Sequence, residues 1–183
     1  TWDMTALVRD WVAEPATNNG IILKAGSGPQ VEFSLVSAQY LANPALRPRL
    51  EVMYALPENV TPMPTNTRTP TATPSVIVVF QYGQRPDTGY TQVQDTYISR
   101  EGDVTANYGL DPVLAVGAKD SQAALLRFDL TRIPSWATVH SAELSLFADR
   151  ASIGFPLALR GYQLLRPWVE TEATWLNATR NNR

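Results

Sequence analysis

The sequence predicts an all-β, antiparallel sandwich or barrel with one short helix, and three observations predict it. Apolar and polar residues alternate with a period of two in many short runs, as they do in half-buried strands. Gly, Pro, Asn and Asp recur between those runs, where chain reversals need them. One segment near the start keeps a period near 3.6 instead.

That segment comes first. In MTALVRDWV, Met4, Leu7, Val8 and Trp11 fall at i, i+3, i+4 and i+7 and give one apolar helical face. Asp3 or Thr5 can cap the helix and Pro15 stops it. Asn18-Asn19-Gly20 then supplies residues that tolerate positive φ before the strand IILKA. Gly26-Ser27-Gly28 reads as a hairpin connection to QVEFSLV, where Val31, Phe33 and Leu35 oppose Glu32 and Ser34. Leu50 and Val52 oppose Glu51 in RLEVMY in the same way. Further runs follow at 76–82, 94–99, 112–117, 123–130, 141–148 and 156–165, separated by turn formers such as Ile133-Pro134 and Asp111-Pro112. Many short strands at this spacing indicate a sandwich or barrel.

Between the two sets of strands lies TPMPTNTRTPTATPS, from Thr61 to Ser75. Its density of Thr and Pro cannot bury a core and favours an extended polyproline-like path. At about 3.1 Å per residue, roughly twenty residues reach on the order of 60 Å. Thr65, Thr67, Thr69, Thr71 and Thr73 are candidates for O-glycans there. Asn59 and Asn177 head N-x-S/T sequences and are candidates for N-glycans.

Composition excludes several classes of function. A formal net charge of −2 carries no basic excess for nucleic acid. Charged residues make up 17% of the 183, against roughly 25% in ordinary soluble domains. The absence of Cys removes disulfides, thiolate metal sites and thiol nucleophiles. No run approaches the ~18 apolar residues of a membrane span. The opening Thr1-Trp2-Asp3, without Met, is expected of a processed product or of a segment of a longer chain.

After the spacer, GYTQVQDTYIS, TANYG (105–109), ALLRFDLTRIP (124–134), ATVHSAELSLF (137–147) and RPWVETEATW (166–175) stand in sequence. Together they resemble the N-terminal portion of the DNRLRE-type β-sandwich domain. That family implies a jelly roll of bacterial secreted and surface proteins, related to carbohydrate-binding modules. The segments before the spacer, WDMTALVRDWV, NNGIILKAG, VEFSLVSAQY and RPRLEVMY, resemble the family's closing helix and final strands. The resemblance therefore implies three parts: 1–54 as the C-terminal half of a jelly roll, 55–75 as linker, and 76–183 as the N-terminal half. The family's further loop and strand between the TW motif and the closing helix are missing or truncated here.

Either half alone would leave an apolar face and sheet edges open. The halves can close on each other within one chain, as in a circular permutant, or each can complete a neighbouring copy head to tail. A third reading is one period of a tandem array. Leu7, Val8 and Trp11 of the helix, with Val76, Val78 and Phe80 of the run after the spacer, are the residues expected to pack one half on the other. VIVVF (76–80) is uncharged and β-branched, and suits either a buried strand or a strand added to a neighbour's edge.

Residues for catalysis are sparse. The one His, His140, sits in a strand-like run, and no GxSxG, P-loop or HExxH sequence occurs. Glu170 and Glu172 between Trp168 and Trp175 are a conceivable acid/base pair, but the resemblance makes Glu170 structural. Asp95, Asp103, Asn107 and Asp111 could supply the oxygens of a structural calcium. The competing role for them is that of turn residues. No other cofactor is expected. Tyr90, Tyr108, Trp168 and Trp175 lie near predicted loops and are candidates to stack on a pyranose face; aromatics also fill sandwich cores. The expectation is a non-enzymatic, extracellular, cell-surface structural repeat or filament subunit, whose partners are other copies of itself head to tail. The alternative is a carbohydrate-binding module of a secreted polysaccharide-active protein. A filament subunit should bury well over about 1,000 Å² against its neighbours.

Overall fold

A computed structural model describes residues 1–26, 32–57, 75–117, 121–151 and 158–179. Before the spacer the chain forms strand β1 (Trp2–Asp3), helix α1 (Thr5–Ala13), β2 (Ile21–Ala25), β3 (Glu32–Val36) and β4 (Arg49–Ala55). After it come β5 (Ser75–Phe80), β6 (Val93–Ser99), β7 (Val113–Gly117), β8 (Gln122–Phe128), β9 (Thr138–Ser145), β10 (Ala148–Ala151) and β11 (Leu159–Gln163). The strands make two antiparallel sheets that enclose one main core, the β-sandwich expected from the alternation. Among the described residues no helix is long and apolar enough to cross a membrane.

One sheet has the order β1-β9-β4-β5. The other runs β10-β3-β7-β8-β2-β11, with β6 paired to β8 along Val93–Ser99. Both sheets interleave strands from before and after the spacer. β4 lies between β5 and β9, and β2 lies between β8 and β11. The open edges that each half would have alone are therefore paired inside a single chain. This corrects the expectation of head-to-tail completion by a neighbouring copy: the chain closes its own sandwich.

The pairing also corrects the local hairpin expected across Gly26-Ser27-Gly28. β2 and β3 are not neighbours, because β7 and β8 stand between them in the sheet. Each takes a long partner from beyond the spacer, β2 on β8 and β3 on β7. Residues 27–31 lie outside the described residues, as do 58–74 with Asn59, Thr65, Thr67, Thr69, Thr71 and Thr73.

Alternation sets the core. Leu50 and Val52 of β4 and Ala142 and Leu144 of β9 point inward from one sheet. Leu23 of β2 and Ala124, Leu126 and Phe128 of β8 meet them from the other. The helix lays Val8, Trp11 and Val12 on the same core, with Leu7 half-buried beside them. Its first turn is anchored at both ends of a short circuit. The Thr5 backbone N–H donates to Asp3 Oδ1 at 2.8 Å, and Thr5 Oγ1 accepts the Ala142 N–H at 3.0 Å. Phe80 is fully buried and Val78 partly so, whereas Val76 is exposed on β5, the edge strand. Of the residues expected to join the two halves, Val76 thus lies outside the core.

The outer face of the β6–β8–β2 sheet is covered too. Leu125 of β8 packs with Trp168 and Ala173, and Ile98 and Leu164 border them. β8 is therefore apolar on both faces, the reason AALLRF reads as a near-continuous run instead of a clean alternation. His140 is the extra residue where β9 shifts register against β4, between the pairs Met53–Ser141 and Tyr54–Val139. Its side chain is exposed, as expected of a bulge on a solvent-facing strand.

Candidate functional site

The aromatics singled out in the sequence do not form one platform. Tyr90 is buried, tilted against Phe80 with ring centroids 5.4 Å apart, and its hydroxyl donates to the Asp129 carbonyl at 3.0 Å. Trp168 is buried as well, its indole N–H donating to the Asn19 carbonyl at 2.8 Å. Neither ring offers a face to a sugar, because each is consumed by interior packing. Tyr108 is half-buried and stacks on Tyr97 at 4.1 Å and 15°. Trp175 borders a separate apolar hollow of about 170 Å³ with Ile98, Leu164 and Trp168. Replacing Trp168 by Phe should leave the Asn19 carbonyl without its donor and cost about 1–2 kcal/mol, measurable as a lower midpoint in urea.

The four oxygen-bearing candidates for calcium are dispersed by their hydrogen bonds. Asp95 lies inside the sandwich, and its Oδ2 accepts the Ala38 N–H at 2.7 Å. Asp103 holds an exposed turn by accepting from both the N–H and the hydroxyl of Thr105. Asn107 turns its amide nitrogen to the carbonyls of Glu170 and Ala173, each at 2.8 Å. Asp111 accepts from the Tyr97 hydroxyl at 3.3 Å. Among the described residues no three His, Cys, Asp or Glu side chains come together as a metal site would require. Asn177, the described N-glycan candidate, is half-buried in a turn whose carbonyl accepts the Thr174 N–H at 2.8 Å.

Glu170 is a structural hinge point between distant segments, as its place in the W-x-E-x-x-x-TW run implies. Its Oε1 accepts the Asp95 N–H at 2.9 Å and the Gln39 side-chain amide at 3.0 Å. One carboxylate thus ties β6 and the turn after β3 to the loop after β11. Burial raises its pKa, against the lowering effect of these donors. Asp95 is pushed up to about 8, chiefly by burial, with the Ala38 N–H acting the other way and Glu170 adding to the rise.

Beside this clamp opens a cleft of about 370 Å³, between the turn after α1 and the adjoining ends of β6 and β8. A volume of several hundred cubic ångströms is that of a small-ligand site. Its lining is mixed: Asn18, Gln92, Gln94, Arg127 and Asp129 bring polar groups, and Trp11 brings an aromatic ring. The Trp11 indole N–H is buried and has no partner. Thr131 and Ile133 close one side from the loop after β8, and the same loop carries Trp136, a tryptophan 59% exposed. Glu170 borders the cleft too, so the clamp fixes one wall.

Of the cleft's polar residues, Glu170 and Asn18 stood out in the sequence, Asn18 only as a turn residue. Gln92, Gln94 and Arg127 are the polar members of alternating strands and carry no spacing signal. Trp136 sits two residues after Ile133-Pro134, and an apolar ring in a predicted turn is the one signal that could have marked it.

The sequence model of carbohydrate-binding module family 96 matches residues 86–182, just over half of the 183-residue chain. The matched stretch includes β6, β8, the loop with Trp136 and the Glu170 clamp. No curated protein and no solved structure matches.

Proposed function

We propose, for a chain that belongs to carbohydrate-binding module family 96, that it is a non-catalytic polysaccharide-binding module of a secreted, extracellular protein. The observation that carries this reading is the position of the family match, which spans the strands and loop that line the cleft. The family is one of binding modules, whose work is to hold a polymer while chemistry is done elsewhere. A rigid sandwich with a polar cleft at one end suits that work, because sugar hydroxyls are held best by preorganised amides and carboxylates beside an aromatic ring. The expected result is retarded migration of the purified chain in native gels cast with a soluble polysaccharide, and a single-chain mass in sedimentation. Unchanged migration across neutral and uronic-acid polymers would remove the reading.

A further inference from the structure

We infer that the free edge of β5 is a pairing surface for a second copy of this chain, joined antiparallel about a two-fold axis so that the β1-β9-β4-β5 sheets of two closed sandwiches run on as one. β5 ends its sheet, and among the described strands it pairs with β4 alone. Its other side carries backbone N–H and C=O groups that a further strand can take up. The register with β4 is unbroken over six pairs, from Ala55–Ser75 to Leu50–Phe80, so no bulge twists the edge away. Ser75–Phe80 contains no charge, no Pro and no Gly, which are the usual guards of an exposed edge. Ile77 is 61% exposed and Val76 39%, and Met53, opposite Ile77 on β4, extends the apolar strip.

Charge selects a second copy as the occupant. A two-fold axis sets an edge against its own image, so a charge on that edge is brought close to itself. The other strands that end a sheet carry such charges. β1 is two residues long and includes Asp3, β10 puts Asp149 and Arg150 into four residues, and β11 carries Arg160 beside Gly161. β5 sets only Ser, Val, Ile and Phe against themselves, and β-branched pairs favour sheet contact. The nearest charge on β4, Glu51 opposite Val79, is already paired with Arg49 on its own strand. Neither sandwich lends the other a missing strand, since each is closed before they meet. An edge of six residues is roughly 20 Å long and falls short of the ~1,200 Å² that stable interfaces bury. Dilute protein is therefore single-chain, and pairs form at high concentration.

The test is sedimentation equilibrium of the full chain over a concentration series from about 10 μM to about 1 mM, the range in which so small an interface fills. It is repeated on Ile77→Lys, which places on the edge the charge that natural sheets use against pairing. The sequence has no Cys, so Ile77→Cys and, as a control on the β11 edge, Tyr162→Cys each carry one thiol for a short bis-maleimide cross-linker. Both replaced side chains are exposed, so thermal melting should stay close to that of the unsubstituted chain. The expected result is a mass that rises towards two chains at the top of the series and an association at least about tenfold weaker in Ile77→Lys. A two-chain product should be captured from Ile77→Cys and not from Tyr162→Cys. A single-chain mass throughout, with no capture from Ile77→Cys, overturns the inference. Pairing unchanged in Ile77→Lys, equal capture from Tyr162→Cys, or a mass growing beyond two chains overturns it as well. The binding-module reading does not depend on pairing and stands or falls on its own test.

Discussion

Gly20→Ala is expected to destabilise the sandwich by on the order of 3–5 kcal/mol, a large part of the ~5–15 kcal/mol that holds a domain together. Gly20 has φ +78°, where a side chain is strained before any contact is made. A Cβ there would also stand 2.3 Å from the Leu126 carbonyl oxygen and 2.8 Å from Arg127 Cβ. Leu126 belongs to β8, paired on both sides by β2 and β6, so its backbone has nowhere to move. The same turn carries the Asn18 side chain to the Phe128 carbonyl and receives the Leu164 N–H on the Gly20 carbonyl. Displacing it would loosen the cleft wall and the cover of the outer face together. A melting temperature lower by roughly 10 °C is the expected reading. Gly102 is the control: its φ is +72°, but nothing lies within 4 Å of a Cβ there. Gly102→Ala should cost only about 1–2 kcal/mol of backbone strain, and a Gly20 variant no worse than that would refute the close-contact explanation.

Asp95→Asn is expected to stabilise the fold at neutral and alkaline pH and to flatten its dependence on pH. The Asp95 carboxyl titrates near 8 in the folded chain, chiefly because it is buried, and Glu170 adds to the shift while the Ala38 N–H opposes it. Its unfolded value is near 3.8. The folded state therefore keeps this proton across the window from about 4 to 8, where the unfolded state has released it. Protons bound by the folded state exceed those bound by the unfolded state, so stability falls as pH rises through the window. The contribution is fully present below pH 4 and fully lost above 8. Asparagine holds the neutral shape, and its side-chain oxygen can accept the same Ala38 N–H. Wild type and variant should converge near pH 4 and separate by a few kcal/mol at pH 8, since each pH unit is worth about 1.4 kcal/mol. Urea titrations at the two pH values measure it. A gap that is the same at both pH values would show that Asp95 is ionised throughout, with Arg47 compensating it.

The two substitutions bracket the candidate site from beneath. Gly20 sets the turn that lies beside Asn18, one of the cleft's amides. Asp95 and Glu170 set the opposite wall, through the Asp95 N–H held by the Glu170 carboxylate. Neither has to touch a ligand to change binding. For Gly20 the effect should appear first in stability; for Asp95 it should appear in the pH dependence of stability.

Much of this was legible along the chain because it depends on neighbours in sequence. The period of two in RLEVMY and SAELSLF placed β4 and β9, since a strand at a core turns every second residue inward. The 3.6 period of Met4, Leu7, Val8 and Trp11 placed α1, and Asn18-Asn19-Gly20 announced a turn with positive φ. The family resemblance implied a structural Glu170, and its two part-buried hydrogen bonds, from the Asp95 N–H and the Gln39 amide, agree with that role. Tyr90 and Trp168 were misplaced at the surface because a ring near a loop has no sequence mark that says which way it points. Tyr90 turns in to reach Phe80 and the Asp129 carbonyl, and Trp168 turns in to reach Asn19.

By itself the sequence determined the class of fold, the need of the strands on either side of the spacer for partners from elsewhere, and the absence of Cys with the disulfide and thiolate chemistry it would bring. All of these follow from residue type and spacing. Only the tertiary structure decided where the partners come from. β4 finds β5 and β9, and β2 finds β8, inside one chain, because pairing the edges that are already tethered costs less entropy than recruiting a second molecule. It alone brought Trp11, Gln94, Arg127 and Thr131 to one cleft. Trp11, Gln94 and the Arg127–Thr131 segment are distant in the chain, and no local pattern encodes the pairing of β6 on β8 or the packing of the α1 segment that brings them together.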